Sequence, residues 1–287
     1  MSILIEFFPD FRANIYDTFQ YRADAIMNLI DAISANTSAT SPVQLTLSPV
    51  FPRQYSSLHD AVDNFFVADN PDNAESERHD QRLARMQIVG SLCPQPAKRN
   101  FYLTGIDTVT QPRPFAETLQ DRGIHYHPNP APGNKPITVG HSYSVLAALP
   151  EKEGEKAPPW ILPLLIQRVP TDKKAVDIGA AQISDVINDN TLPFGNHLSV
   201  LAGDSAYSSI EFLNKNAEHD NLITLVRVRS NRTFYGMPLY SAYPRKKGHP
   251  QWYGAPFKLN DPSTHPEPEE SKTVPFTFRN ARECEVT

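Results

Sequence analysis

Two aspartates stand where chemistry could be done. Phe101-Tyr-Leu-Thr-Gly-Ile-Asp107-Thr and Leu198-Ser-Val-Leu-Ala-Gly-Asp204-Ser-Ala-Tyr207 are both short runs of strand-forming residues that end in an acid. Each run predicts a buried strand with a carboxylate at or near its end. A carboxylate withdrawn from water must be paired or bound to a cation, and hard Mg²⁺ takes oxygen ligands of this kind. No basic residue follows Asp107 before Arg113, and none follows Asp204 before Lys215, so local ion pairs do not account for the two acids. An aspartate at a strand-to-helix junction can equally be an N-cap. For Asp204 that role is expected to be filled elsewhere, because Ser208-Ser-Ile-Glu211 fits a capping box and leaves the aspartate spare. The pair reads as a candidate metal site.

The elements that must position these acids follow from periodicity. Residues 10–36 predict one helix, with Ile15, Phe19, Arg22, Ile26, Leu29, Ile30 and Ile33 in a mostly apolar stripe. A second helical piece, Ser56 to Val67, sets Leu58, Val62, Phe65 and Phe66 on one face. A small helical subdomain is weighed here against a helix-turn-helix that reads DNA. Asp69 to Asp80 is an acidic loop or the start of the helix carrying Leu83, Met86 and Val89, and Cys93 to Arg99 breaks regular structure. The first boundary is drawn there, giving a helical region 1–98.

Strands are expected at 101–109, 137–149, 160–169, 197–202 and 222–228, and helices at 173–188 and 208–217. Pro163 requires an edge position or a bulge in the third strand. The order β-β-β-α-β-α-β, with acids on the first and fourth strands, is that of an α/β RNase H-like core: a five-stranded mixed sheet with helices, over 99–230. From residue 231 to 287 Tyr, Pro, Gly, Lys and Arg dominate, as at the start of a basic, β-rich insertion, and Val274–Phe278 is a further candidate strand.

Composition bounds the rest. The chain has 287 residues, 40% of them hydrophobic, enough for a real core, and its 27 prolines imply many loops. No run of 18 apolar residues exists, so no membrane span is expected. The N-terminus lacks a basic region and a cleavage site, and the protein is expected in the cytoplasm. Cys93 and Cys284, far apart and outside any zinc pattern, are expected to be reduced and incidental. The net charge of −5 is unevenly spread, since residues 227–287 hold 10 Lys and Arg against 6 Asp and Glu. Arg227, Arg229, Arg232, Arg245, Lys246 and Lys247 are interleaved there with Phe234, Tyr235, Tyr240, Tyr243, Trp252 and Tyr253. That mixture suits phosphates and unpaired bases, and a solvated basic loop would read the same way. His125 and His127 have a chelating spacing, but Pro128 and Pro130 favour a loop; His141 and Tyr143 read as packed strand residues near the site edge.

The run Arg99 to Thr108, with Arg113-Pro-Phe, Gly140-His-Ser-Tyr-Ser144 and Ala202-Gly-Asp204-Ser-Ala-Tyr207, resembles the DDE transposases of bacterial insertion sequences, in particular those of cyanobacterial type, over roughly residues 50–230. The resemblance implies an RNase H-like core and a two-metal site for Mg²⁺ or Mn²⁺. It further implies cleavage and strand transfer of DNA at element ends by a homodimer on the nucleoid. Asp107 matches the first acid of the triad and Asp204 the second. The third is normally a glutamate on a helix beyond an inserted β-rich segment. Glu267, Glu269 and Glu270 lie in a Pro-rich turn, and Glu283 and Glu285 lack a helical stripe, so the chain reads as a C-terminally truncated transposase with little or no strand-transfer activity. A non-catalytic DNA-binding protein or repressor derived from a transposase, and a metal-dependent nuclease that does not transpose, are the alternatives.

Overall fold

The computed structural model describes residues 2–126, 136–152, 154, 157–238, 252–268, 270–277 and 283–286. The chain divides into two compact units, residues 1–227 and residues 228–287.

The first unit is built on β1 (Tyr102–Pro112), where Tyr102, Thr104 and Ile106 are buried and Asp107 is exposed. This alternation is the two-residue period of a strand with one face in a core. The other strands are β2 (Gly123–Tyr126), β3 (Ile137–Ala148), β4 (Leu162–Val169), β5 (Ser199–Gly203) and β6 (Leu222–Val226). β1 pairs antiparallel with β3 and parallel with β5, and β5 pairs parallel with β6. The far edge of β3 is shared end to end by β2, along residues 137–140, and β4, along residues 142–148.

The mixed sheet and its helices have the RNase H-like architecture, with six strands and not five. The extra strand is β2, where a loop is expected from the nearby prolines. His125 sits on it, opposite Thr138, while His127 lies outside the described residues. β4 holds Pro163 opposite Ala147, where the register with β3 shifts, so an irregular edge accommodates the missing N–H.

One core lies between the sheet and the helices α5 (Ala74–Gly90) and α6 (Ala175–Ile187). It joins Ile106, Leu146, Leu165 and Leu201 of the sheet to Met86, Ile183 and Val186 of the helices, with Phe194 of the short α7 (Pro193–Asn196). Phe194 is fully buried, and burying such a side chain stabilises the fold by about 1.5–3 kcal/mol. The helix α8 (Ile210–Asn216) adds Phe212.

A second core belongs to the N-terminal helices α1 (Ser2–Asp17), α2 (Ala23–Ser34), α3 (Pro42–Leu45) and α4 (Tyr55–Asp63), around Phe19, Ile26, Leu29, Phe51 and Leu58. The expected single helix 10–36 is thus two helices. Arg22 adopts a left-handed conformation (φ 54°) at the start of α2 and turns the chain while Phe19 stays buried. Arg85 of α5 joins the two cores. Its guanidinium lies 4.5–4.6 Å from the rings of Phe19, Phe65 and Phe66, Nε donates to Thr18 Oγ1 at 3.1 Å, and burial pulls its pKa down to about 10.

In the second unit, β7 (Thr233–Tyr235) pairs antiparallel with β8 (Pro256–Lys258), and β9 (Val274–Thr277) with β10 (Glu283–Val286). Among the described residues no helix is long and apolar enough to cross a membrane.

Candidate active site

The two aspartates meet through the parallel pairing of β1 and β5. Ile106 is the register partner of Gly203, so Asp107 and Asp204 follow one residue later on neighbouring strands, whose spacing is about 4.8 Å. Alternation continued past that pair turns both acids away from Ile106 and the α6 side of the sheet. Val109, Ile223 and Leu225 belong to the same outward face and are exposed.

Both acids are themselves exposed, which corrects the expectation of carboxylates withdrawn from water. Their claim to a cation rests on juxtaposition and not on burial: like charges on adjacent strands repel, and a shared cation removes the repulsion. Asp204 is also not spare. Its Oδ1 accepts the Ala206 N–H at 2.8 Å and caps a 3₁₀ turn, Ser205–Tyr207. The cap of α8 is Ser209 and not Ser208, with Oγ accepting from Phe212 N at 3.3 Å, and Glu211 instead faces Lys174 at 3.4 Å. Asp107 Oδ1 accepts the Thr108 N–H at 2.7 Å. Each carboxylate is thus oriented by one backbone amide and keeps Oδ2 available, with no bonded partner among the described residues.

Beneath the acids lies a polar group inside the core. Tyr207 is 1% exposed, and its hydroxyl is 2.9 Å from Thr108 Oγ1. Burial raises the phenol's pKa, the hydrogen bond with Thr108 and the nearby Ser144 hydroxyl oppose the shift, and the charges of Asp107 and Asp204 add to it. Ser144 of β3 is itself clamped to α6, donating to Gln182 Oε1 at 2.6 Å while Gln182 Nε2 donates to the Ser144 carbonyl at 3.3 Å. The helix can approach because residue 179 is glycine. A Cβ there would lie 2.6 Å from Ile106 Cδ1 and 3.1 Å from Tyr207 Cε1.

None of Tyr207, Ser144, Gln182 or Gly179 is assigned a role from sequence alone. Two signals were present: a tyrosine three residues after the second acid, and a glycine inside an otherwise regular helix, where it costs stability unless something needs the room.

Arg227 completes the strand-end row. It follows β6, whose Val226 is the partner of Gly203, and its N–H donates to the Gly203 carbonyl at 3.1 Å. Its exposed side chain has no bonded partner among the described residues. Arg229 and Arg232 belong to the second unit, where they form a turn through Arg232 N and Arg229 O at 3.1 Å. Arg245, Lys246 and Lys247 lie outside the described residues, as do Tyr240 and Tyr243. Phe234, Tyr235, Trp252 and Tyr253 are exposed, with the Tyr235 and Tyr253 rings 5.0 Å apart.

His125 Nε2 lies 3.2 Å from the Gly140 carbonyl and Nδ1 3.0 Å from Ser142 Oγ, so both ring nitrogens are engaged. His141 Nε2 lies 2.9 Å from the Gln120 carbonyl, and Tyr143 stands between Val109 and Arg168. Glu267 and Glu270 are exposed in the second unit, Glu269 lies outside the described residues, and Glu283 and Glu285 are on β10.

Adjacent, exposed carboxylates with open oxygens fit one hard divalent cation that keeps several waters. Among the described residues no group of three His, Cys, Asp or Glu side chains is placed to hold a metal ion. A second ion would need donors beyond these two acids.

A family model described as DDE superfamily endonuclease matches residues 14–283. No curated protein matches the chain.

Proposed function

The chain belongs to the DDE superfamily endonucleases, and from that membership we propose that it is a transposase in which Asp107 and Asp204 form the cutting site for DNA at the ends of an insertion sequence. The observation that carries this reading is the parallel register Ile106 to Gly203, after which the two acids follow on neighbouring strands, both exposed. Enzymes of this superfamily generally depend on divalent metal ions. Here Asp107 and Asp204 would hold Mg²⁺ or Mn²⁺ through the oxygens not engaged by the Thr108 and Ala206 amides. The chemistry supplied by a cation held there would be polarisation of a phosphodiester and activation of water.

The remaining work falls to the protein. The two amides hold each carboxylate in one orientation, so little reorganisation accompanies the reaction. Arg227, one strand further along the same edge, binds non-bridging phosphate oxygens in the forked geometry that suits guanidinium. Arg229 and Arg232, with Arg245, Lys246 and Lys247, supply further phosphate contacts, and the exposed aromatic rings supply stacking surfaces. On this reading residues 99–230 are the catalytic part, residues 1–98 a helical accessory part and residues 231–287 a DNA-facing segment. Two copies would hold paired ends on the nucleoid.

The test is nicking of a supercoiled plasmid that carries the element's terminal repeats, with Mn²⁺ or Mg²⁺. Cleavage by the purified chain that disappears in Asp107→Ala and in Asp204→Ala supports the reading. A second reading, a DNA-binding protein that does not cut, is favoured by one observation: two carboxylates, and no group of three candidate ligands, among the described residues. Specific binding to the repeats without cation-dependent nicking would select it.

A further inference from the structure

We propose that Tyr207 is a positioning residue that sets the spacing between Asp107 and Asp204. The inference rests on the reading of those two acids as a cation site. Its basis is a closed path of contacts between neighbouring strands. Asp204 is tied to Tyr207 through the 3₁₀ turn, by its own cap on Ala206 N and by Tyr207 N donating to the Asp204 carbonyl at 3.2 Å. The phenol crosses beneath the sheet to Thr108 Oγ1 at 2.9 Å, and Thr108 N–H holds Asp107 Oδ1 at 2.7 Å.

The ring is buried along this path. It packs at 5.1 Å from Phe212, and a Cβ on Gly203 would lie 3.3 Å from Tyr207 Cβ. A Cβ on Gly179 would lie 3.1 Å from Tyr207 Cε1, so the glycine leaves the ring its room. Packing alone would be satisfied by phenylalanine, whose ring fills the same slot. The buried hydroxyl is a polar group that a core does not need, and it meets the hydroxyl of Thr108 on β1, the strand next to the one its own turn follows. Its effect is to lock the turn that follows β5 to the middle of β1, which are the two places that carry the acids.

The test measures Mn²⁺ binding by electron paramagnetic resonance, beside thermal melting, on the full chain. Tyr207→Phe and Thr108→Val are each expected to weaken Mn²⁺ binding by about tenfold, the scale seen when a partner that orients a metal ligand is lost. The double variant should be no weaker than either single one, and Thr108→Ser, which keeps the hydroxyl, should bind as the wild type does. Ile187→Val, a core change remote from the acids, controls for stability. It should lower the melting temperature without moving Mn²⁺ affinity. Unchanged binding in a folded Tyr207→Phe protein overturns the proposal while leaving the cation site intact. Wild-type protein that shows no Mn²⁺ binding removable by Asp107→Asn overturns the site itself, and the proposal with it.

Discussion

Arg227 and Asp204 end adjacent parallel strands, tied by the Arg227 N–H on the Gly203 carbonyl at 3.1 Å. A cation and a carboxylate therefore follow the ends of neighbouring strands, both exposed. Arg227→Ala should weaken DNA binding by roughly tenfold or more, as for a lost hydrogen bond to a charged group, about 1.5–3 kcal/mol. The slope of log affinity against log salt should fall by about 1, one phosphate contact. Arg227→Lys should keep the slope and lose part of the affinity, because a point charge cannot fork two oxygens. Filter binding over a salt series reads both, and an unchanged slope would remove Arg227 from the interface.

Asp107→Asn and Asp204→Asn should each reduce cation-dependent nicking by about two orders of magnitude or more, the scale of losing a group that stabilises charge at the reacting centre. Neither should unfold the protein. Both acids are exposed on neighbouring strands, so removing one negative charge relieves repulsion and changes stability by no more than about 0.5 kcal/mol. Plasmid nicking and thermal melting of the same preparations separate the two effects.

At Gly179, α6 packs against Ile106 of the strand that carries Asp107. A valine there would bring its Cβ to 2.6 Å from Ile106 Cδ1, in a position already bounded by Tyr207. Helix propensity favours valine over glycine by a few tenths of a kcal/mol, but overpacking a filled core costs about 1–3 kcal/mol. Gly179→Val should therefore be destabilised in urea. A neutral or stabilised variant would show that Ile106 can move aside.

Asp121 supplies a pH dependence. Its carboxylate accepts hydrogen bonds from the Thr171 hydroxyl and amide and pairs with Arg168, and the Thr171 hydroxyl bond is the leading cause of a pKa below the usual aspartate value. A depressed folded-state pKa means that the stabilisation is present above the unfolded value, about 3.9, and is lost as pH falls through the lower folded value. Asp121→Asn, which tolerates the left-handed backbone at this position (φ 53°), should melt at a lower temperature than the wild type near neutral pH. The gap should close on acidification. A gap that stays constant with pH would assign the loss to packing.

What the sequence determined by itself was local and periodic. Alternation and propensity along 101–109 and 197–202 assign an acid to each of two strands, because the period of a strand is a property of the chain alone; Asp204 does follow the end of its strand, while β1 continues to Pro112 and carries Asp107 in its middle. The order of strands and helices then selects the mixed sheet, and Pro163 announces an irregular edge because its missing N–H has few places to go.

What only the tertiary structure decided depends on partners distant in sequence. The parallel register Ile106 to Gly203 sets Asp107 beside Asp204, and register is chosen by the packing of whole strands. A second parallel register, Gly203 to Val226, brings Arg227 into line. Whether Asp204 was spare turned on a short capped turn that competes with the helix-start signal after it. Whether the acids were buried turned on what covers one face of the sheet. β2 escaped notice because a four-residue strand between prolines gains its identity from pairing with β3. Tyr207 is the clearest case: its hydroxyl meets Thr108, 99 residues earlier, in a space left by Gly179, and no local pattern encodes that meeting.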